Sequence, residues 1–198
     1  METSKRIILA ITGASGARYG LRTLQALKAL PYEIHLILSP VGVRVIEAET
    51  GLTKNQVLNM ADAVHQPDDL SAPIASGSFH TCGMLIVPCS VKTLSGIANS
   101  YAENLIQRAA DVCLKEGRPL LLAVRETPLH SGHLRLMLQA SQAGAVIFPP
   151  IPAFYDQPSS IDDLVDASVG RMLARIGIAN PLYRPWQGET TPRNKPSS

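Results

Sequence analysis

The chain has 198 residues, 45% of them hydrophobic, which suits one domain with a real core and is too apolar for a disordered chain. Charged residues are sparse, 17% against roughly 25% in ordinary soluble domains, and a net charge of +2 gives no support for nucleic-acid binding. No apolar run approaches the ~18 residues of a membrane span, and the three cysteines (Cys82, Cys89 and Cys113) lack the paired spacing of a disulfide framework or zinc site, so each reads as a small buried hydrophobe.

In chain order, METSKR is a basic start, but the apolar run after it is short and leads into glycines instead of a cleavage site, so a cytoplasmic location is expected. Residues 6–12 (RIILAIT) read as a strand, 16–30 as a helix, 33–38 (EIHLIL) as a second strand, and 41–49 and 54–61 as helices. Residues 84–87 (MLIV) read as a buried strand stopped by Pro88, followed by helices at 93–99 and 103–116. The strand 119–124 (PLLLAV), a helix at 131–143, a short strand at 145–148 and an amphipathic helix at 161–176 complete the pattern. Residues 1–188 form one domain in this reading, and the Pro-rich stretch 189–198 a disordered tail.

Continuous apolar strands alternating with helices predict an α/β fold, a three-layer parallel sheet of the flavodoxin/Rossmann-like kind with helices on both faces. Such sheets bind ligands beyond the carboxyl ends of their strands, which directs attention to the residues that follow each one. TGASGARYG after the first strand is a Gly/Ser loop opening a helix. It serves either as an anion cradle, suited to a mononucleotide such as FMN because the spacing is neither G-x-G-x-x-G nor Walker A, or as a tight turn with no ligand. In VPCSVKTLSG, Ser90, Thr93 and Ser95 either bind a phosphate or ring or simply cap a helix. Arg125 and Glu126 sit directly after the strand PLLLAV, where an arginine suits a phosphate or a flavin carbonyl and a glutamate suits acid–base work, the alternative being a surface ion pair. On spacing alone Glu49, Arg108 and Lys115 read as solvated helix residues. His130 and His133 have metal-compatible spacing but no third ligand nearby, which favours helix-start capping or surface roles. Five of the nine aromatics (Phe148, Phe154, Tyr155, Tyr183 and Trp186) fall late, in Pro-rich loops where they can wall a ligand.

Four blocks, TGASGARYG, SGSFHTCGMLIVPCSVKTLSGI, RAADVCLKEGRPLLLAVRETPLH and PPIPAFYDQP, resemble the UbiX family of flavin prenyltransferases, and the resemblance runs from Lys5 to about Gln187. It implies a flavoprotein that binds reduced FMN as a substrate and joins to it, at N5 and C6, a dimethylallyl group from dimethylallyl phosphate. The product is the prenylated FMN used by a UbiD-type decarboxylase, for example in ubiquinone biosynthesis. A homododecamer with sites shared between subunits, and no metal, are implied as well. FMN contacts then fall on Gly13, Ala14, Ser15, Ser39, Ser90, Val91, Lys92, Thr93 and Arg125. Prenyl-phosphate contacts fall on Lys115, Glu126, Tyr155 and Arg171, and Ser76, Arg108 and Trp186 line the same site. Glu49, Ser15, Glu126 and Tyr155 take the catalytic roles, so the resemblance and not the spacing moves Glu49, Arg108 and Lys115 into the site. Two alternatives stand beside this: a non-catalytic FMN-carrying accessory subunit of an aromatic-acid decarboxylase, and a flavin-dependent cysteine decarboxylase relative. The second is disfavoured because the late segment FPPIPAFYD lacks Met-Asn.

Overall fold

The computed structural model describes residues 5–155 and 157–183. Six parallel strands, β1 (Lys5–Ile11), β2 (Tyr32–Leu38), β3 (Ala63–His65), β4 (Met84–Cys89), β5 (Leu120–Val124) and β6 (Val146–Ile147), form one sheet in the order β3-β2-β1-β4-β5-β6. Helices α1 (Ala17–Lys28), α2 (Pro40–Thr50), α3 (Lys54–Leu58), α4 (Val91–Ala98), α5 (Leu105–Lys115), α6 (Ser131–Gln142) and α7 (Ile161–Arg175) connect or follow them. Because side chains alternate across a strand, Ile7, Leu9 and Ile11 meet Leu24 and Leu27 of α1 and Val169, Met172 and Leu173 of α7 on one face. Ile8 and Ala10 join Met84 and Ile86 under Leu94, Leu105, Ile106 and Ala109 on the other. Both faces are covered, which is why every long strand is an unbroken apolar run and why the α/β expectation holds. Among the described residues no helix is long and apolar enough to cross a membrane.

Three local expectations are corrected. β4 does not stop at Pro88; it continues through it to Cys89, which pairs with Val124 after a register shift. A proline lacks a donor but can still accept, and Pro88 does so twice: Thr12 donates to its carbonyl through both N–H (3.2 Å) and hydroxyl (2.7 Å). β3 was not anticipated, since three half-exposed residues at a sheet edge carry no apolar run. Cys82 is exposed, unlike the buried Cys89 and Cys113, and burial pushes the Cys113 thiol up to about 11.

The chain leaves β1 toward β2 on one side and returns to β4 on the other, so the crevice between β1 and β4 is the topological switch point. Thr12 stitches its walls together: its hydroxyl accepts from Ser90 N (2.8 Å) while donating to Pro88. Gly20 allows α1 to lie directly on β4, because a Cβ there would meet the Val87 carbonyl oxygen.

At the β2–β3 edge a half-buried polar chain holds the segment that follows β3. Arg6 Nε donates to Glu33 Oε2 (3.1 Å), Glu33 Oε1 lies 3.1 Å from His35 Nε2, and His35 Nδ1 lies 2.8 Å from Nε2 of the stacked His65. The carboxylate takes the His35 Nε2–H, so His35 Nδ1 accepts and His65 donates. Phe79 packs edge-on against His35 at 5.2 Å, with Arg6 over its ring at 4.5 Å.

Burial holds both imidazoles below their ordinary value of 6.5, against the opposing pull of Glu33 and Asp62 on His35 and of Asp69 on His65; Arg6 adds to the lowering of His35, and His35 to that of His65. A folded-state value below the unfolded one means that this stability is present above pH 6.5 and lost as pH falls beneath it. The denaturation midpoint is therefore expected to drop between about pH 7.5 and about pH 5.5, and the drop to shrink in a His35→Asn/His65→Asn chain. An equal drop in that double variant would contradict the assignment.

Candidate active site

The sites expected from sequence separate into three groups. The first lies at the carboxyl edge of the sheet, around the β1/β4 crevice. Gly13, Ala14 and Ser15 follow β1, Ser39 follows β2, Ser90 to Thr93 follow β4, and Arg125 and Glu126 follow β5. Ser39 Oγ accepts from Gly42 N (2.9 Å) and Ser90 Oγ from Thr93 N (3.4 Å), so both serines cap helices; for Ser90 this is the capping alternative that the sequence left open. Capping leaves the amides of Val41, Val91 and Lys92 without a partner among the described residues, and these point where helix starts favour an anion. The Lys92 ammonium pairs with Glu103 at 3.3 Å, away from these amides. Arg125 is exposed and its guanidinium has no carboxylate partner among the described residues. Its backbone N–H donates to Cys89 O (3.1 Å), which fixes where the side chain departs. Glu126 Oε1 accepts from Thr127 N (3.0 Å).

The start of α1 is different. Glu49, in the last turn of α2, reaches across so that its carboxylate accepts from Gly16 N (3.1 and 3.0 Å to the two oxygens) and from Ala17 N (2.8 Å). Of the amides around TGASG, those of Gly16 and Ala17 at the start of α1 are held by the protein's own carboxylate, immediately beside Ser15. Among the described residues, unpaired amide donors therefore stand at the starts of α2 and α4, and the Gly16 and Ala17 amides at the start of α1 are taken.

The second group lies beside β6. Phe148, Tyr155, Arg171 and Tyr183 line an open cleft of about 260 Å³ that is otherwise walled by Ile147, Pro149, Ile151 and Leu182. Arg171, on α7, is exposed and makes no ion pair among the described residues. Phe154 points to solvent, and Trp186 lies outside the described residues, as does the tail at 189–198.

The third group gathers on α5 and the segment before β4. Arg108 donates from Nε to Ala75 O (3.1 Å) and from Nη1 to Asp111 (2.8 Å). Lys115 pairs with Glu116, which holds the Glu116 carboxyl below its ordinary value, and both lie against Gly77, next to Ser76. The α5 helix runs back from the carboxyl edge and ends at Lys115, where Gly117 to Pro119 turn into β5. Five residues of β5 at about 3.3 Å each then separate this turn from Arg125 by about 17 Å. Lys115 and Ser76 therefore occupy the opposite edge of the sheet from Arg125 and Glu126, and one chain does not bring them together.

His130 caps α6 by accepting from Gly132 N (3.0 Å). Among the described residues no three His, Cys, Asp or Glu side chains gather as a metal-binding group. Sequence reasoning missed Thr12, whose stitching role needs the fold, and Arg118, whose guanidinium donates to Gly77 O (2.6 Å) and Phe79 O (2.8 Å). Neither residue carries a motif.

The Flavoprotein family pattern matches residues 1–173. The flavin prenyltransferase UbiX of Escherichia coli strain K12 is 52% identical over 187 residues, covering 93% of this chain and 99% of that protein. The crystal structure of AnUbiX (PadA1) in complex with FMN and dimethylallyl pyrophosphate superposes with a TM-score of 0.92 at 48% identity, covering 94% of this chain and 99% of that one. A dodecameric FMN-dependent Ubix-like decarboxylase from Escherichia coli O157:H7 gives 0.90 at 47%, covering 92% and 100%.

Replacing Glu49 with Ala frees the Gly16 and Ala17 amides and should destabilise the chain by about 1 kcal/mol, as loss of a helix cap does. Denaturant titration of Glu49→Ala measures this, and an unchanged midpoint would contradict the capping role.

Proposed function

This chain belongs to the Flavoprotein family and, within it, to the UbiX flavin prenyltransferases, and we propose from that membership which of its residues carry the reaction. The chain is a flavin prenyltransferase that joins a dimethylallyl group to reduced FMN. The dimethylallyl C1–O bond breaks with departure of phosphate as C1 bonds to flavin N5, which gives up its proton; a proton added at C2 of the prenyl double bond then makes C3 electrophilic, C6 bonds to C3, and the C6 proton leaves. Reduced FMN supplies the nucleophilic atoms, so the protein needs no nucleophile of its own.

The FMN phosphate rests on the starts of α2 and α4, at Ser39 and Ser90 to Thr93, with Arg125 alongside. Gly13, Ala14 and Ser15 pass close to the ring. Lys115, Arg171 and the Tyr155 hydroxyl stabilise negative charge on the departing phosphate, and Glu126 delivers a proton to it. The faces of Tyr155 and Trp186 shield the allylic cation from water. Glu49, held one residue from Ser15, accepts the ring proton with Ser15 as relay. Ser76, Arg108 and Lys115 reach this assembly from another copy of the chain, in a homododecamer. The donor is dimethylallyl phosphate, the product passes to a UbiD-type decarboxylase, and the enzyme works in the cytoplasm.

One observation supports catalysis over FMN carriage: the chain keeps anion-binding groups at both edges of its sheet. A carrier of a mononucleotide needs one phosphate site. Purified protein, reduced FMN and dimethylallyl phosphate, followed by mass measurement of the flavin, should show a gain of one prenyl unit, with dimethylallyl diphosphate run as the competing donor. Unchanged FMN with both donors would contradict the assignment. Glu49→Gln should bind FMN as wild type does while forming prenylated flavin about 100-fold more slowly or worse; product at the wild-type rate would remove Glu49 from the proton step.

A further inference from the structure

Two residues without an assigned role shape the Ser76–Lys115 half of the site. Gly117, in the left-handed conformation at φ +65°, ends α5, and the Arg118 N–H returns to Cys113 O (2.8 Å). The half-buried Arg118 side chain then forks: Nη1 donates to Phe79 O at 2.8 Å and Nη2 to Gly77 O at 2.6 Å. A planar guanidinium is suited to bridging two fixed carbonyls, as a flexible ammonium is not. The same segment is held from behind by the Phe79 ring, which lies 5.2 Å from His35 and 4.5 Å from Arg6. Between these anchors the Ser76 and Ser78 hydroxyls lie 2.8 Å apart, and Ser78 N donates to Ser76 Oγ (3.3 Å). Arg108 secures the near end through Ala75 O (3.1 Å).

Gly77 controls how closely the charged end of α5 approaches this segment. A Cβ at that position would stand 2.7 Å from Lys115 Nζ and closer still to Glu116 Oε1. Both are tips of flexible side chains, so a methyl group there displaces them without disturbing the fold.

We propose that Arg118 and Gly77 are positioning residues that fix the Ser76–Ser78 hydroxyls and the Lys115 ammonium as a single surface for the phosphate of the prenyl donor. Arg118 sets the course of the segment by bridging its carbonyls, and Gly77, lacking a side chain, lets Lys115 lie against it. Neither residue is asked to touch the flavin. This rests on the prenyltransferase reading, which the wild-type protein tests first: prenylation by wild type sustains that reading whatever the variants do.

With wild type active, the KM for dimethylallyl phosphate, kcat, FMN affinity by fluorescence titration and thermal midpoint are measured for Arg118→Ala, Arg118→Lys and Gly77→Ala. Loss of two charge-assisted hydrogen bonds, or displacement of Lys115, should raise the KM about tenfold or more with FMN affinity unchanged. Arg118→Lys should not rescue, because one ammonium cannot reproduce the fork. If Arg118→Ala lowers the thermal midpoint, Gly77→Ala carries the decision, since it leaves the fork intact. An unchanged KM in Gly77→Ala, or full rescue by Arg118→Lys, would overturn the proposal.

Discussion

A parallel sheet points every strand the same way, and the arrangement of the candidate site follows from that constraint. Loops after β1, β2, β4 and β5 are forced to one edge, where Gly13 to Ser15, Ser39, Ser90 to Thr93 and Arg125 converge without further design. Whatever closes the other end of a helix is forced to the opposite edge, which is where Lys115 and Ser76 stand. No rotamer of a lysine spans the roughly 17 Å of β5 between them. The sheet therefore gathers one edge of the proposed site within a single chain, and on that proposal another copy brings the residues of the opposite edge.

Electrostatics at the helix starts then sorts the crevice. Three helices begin near the switch point, and each start attracts negative charge. The Glu49 carboxylate takes the Gly16 and Ala17 amides at the start of α1 and sets a carboxylate beside Ser15. Serines cap α2 and α4 while leaving first-turn amides unpaired. The same carboxylate caps a helix and, on the proposed reading, takes the flavin-ring proton, one group serving structure and chemistry.

Much of the fold was legible because burial on both faces writes itself as unbroken apolar runs: RIILAIT, EIHLIL, MLIV and PLLLAV all became strands. The three-residue β3 was not legible, since an edge strand need bury little, and the passage of β4 through Pro88 depended on a partner, Thr12, distant in sequence. Site residues at strand ends could be read from position alone. Glu49, Arg108 and Lys115 could not, because a helical spacing does not reveal what lies across from it; the family resemblance brought them in. Arg118 stayed silent at both levels, as its partners are backbone carbonyls of Gly77 and Phe79.

The sparse charge has a counterpart on the surface. Leu134 and Leu138 on α6 are 54% and 57% exposed, and Ile151, Phe154 and Ile161 are more so, a distribution suited to packing against further copies. Co-assembly of Lys115→Ala chains with Arg125→Ala chains tests whether the two edges meet between copies. Each variant alone should be nearly inactive. Sites that draw Lys115 from one chain and Arg125 from another would restore up to about a quarter of the wild-type prenylation rate on random mixing. A mixed assembly as inactive as either parent would contradict a site completed between subunits.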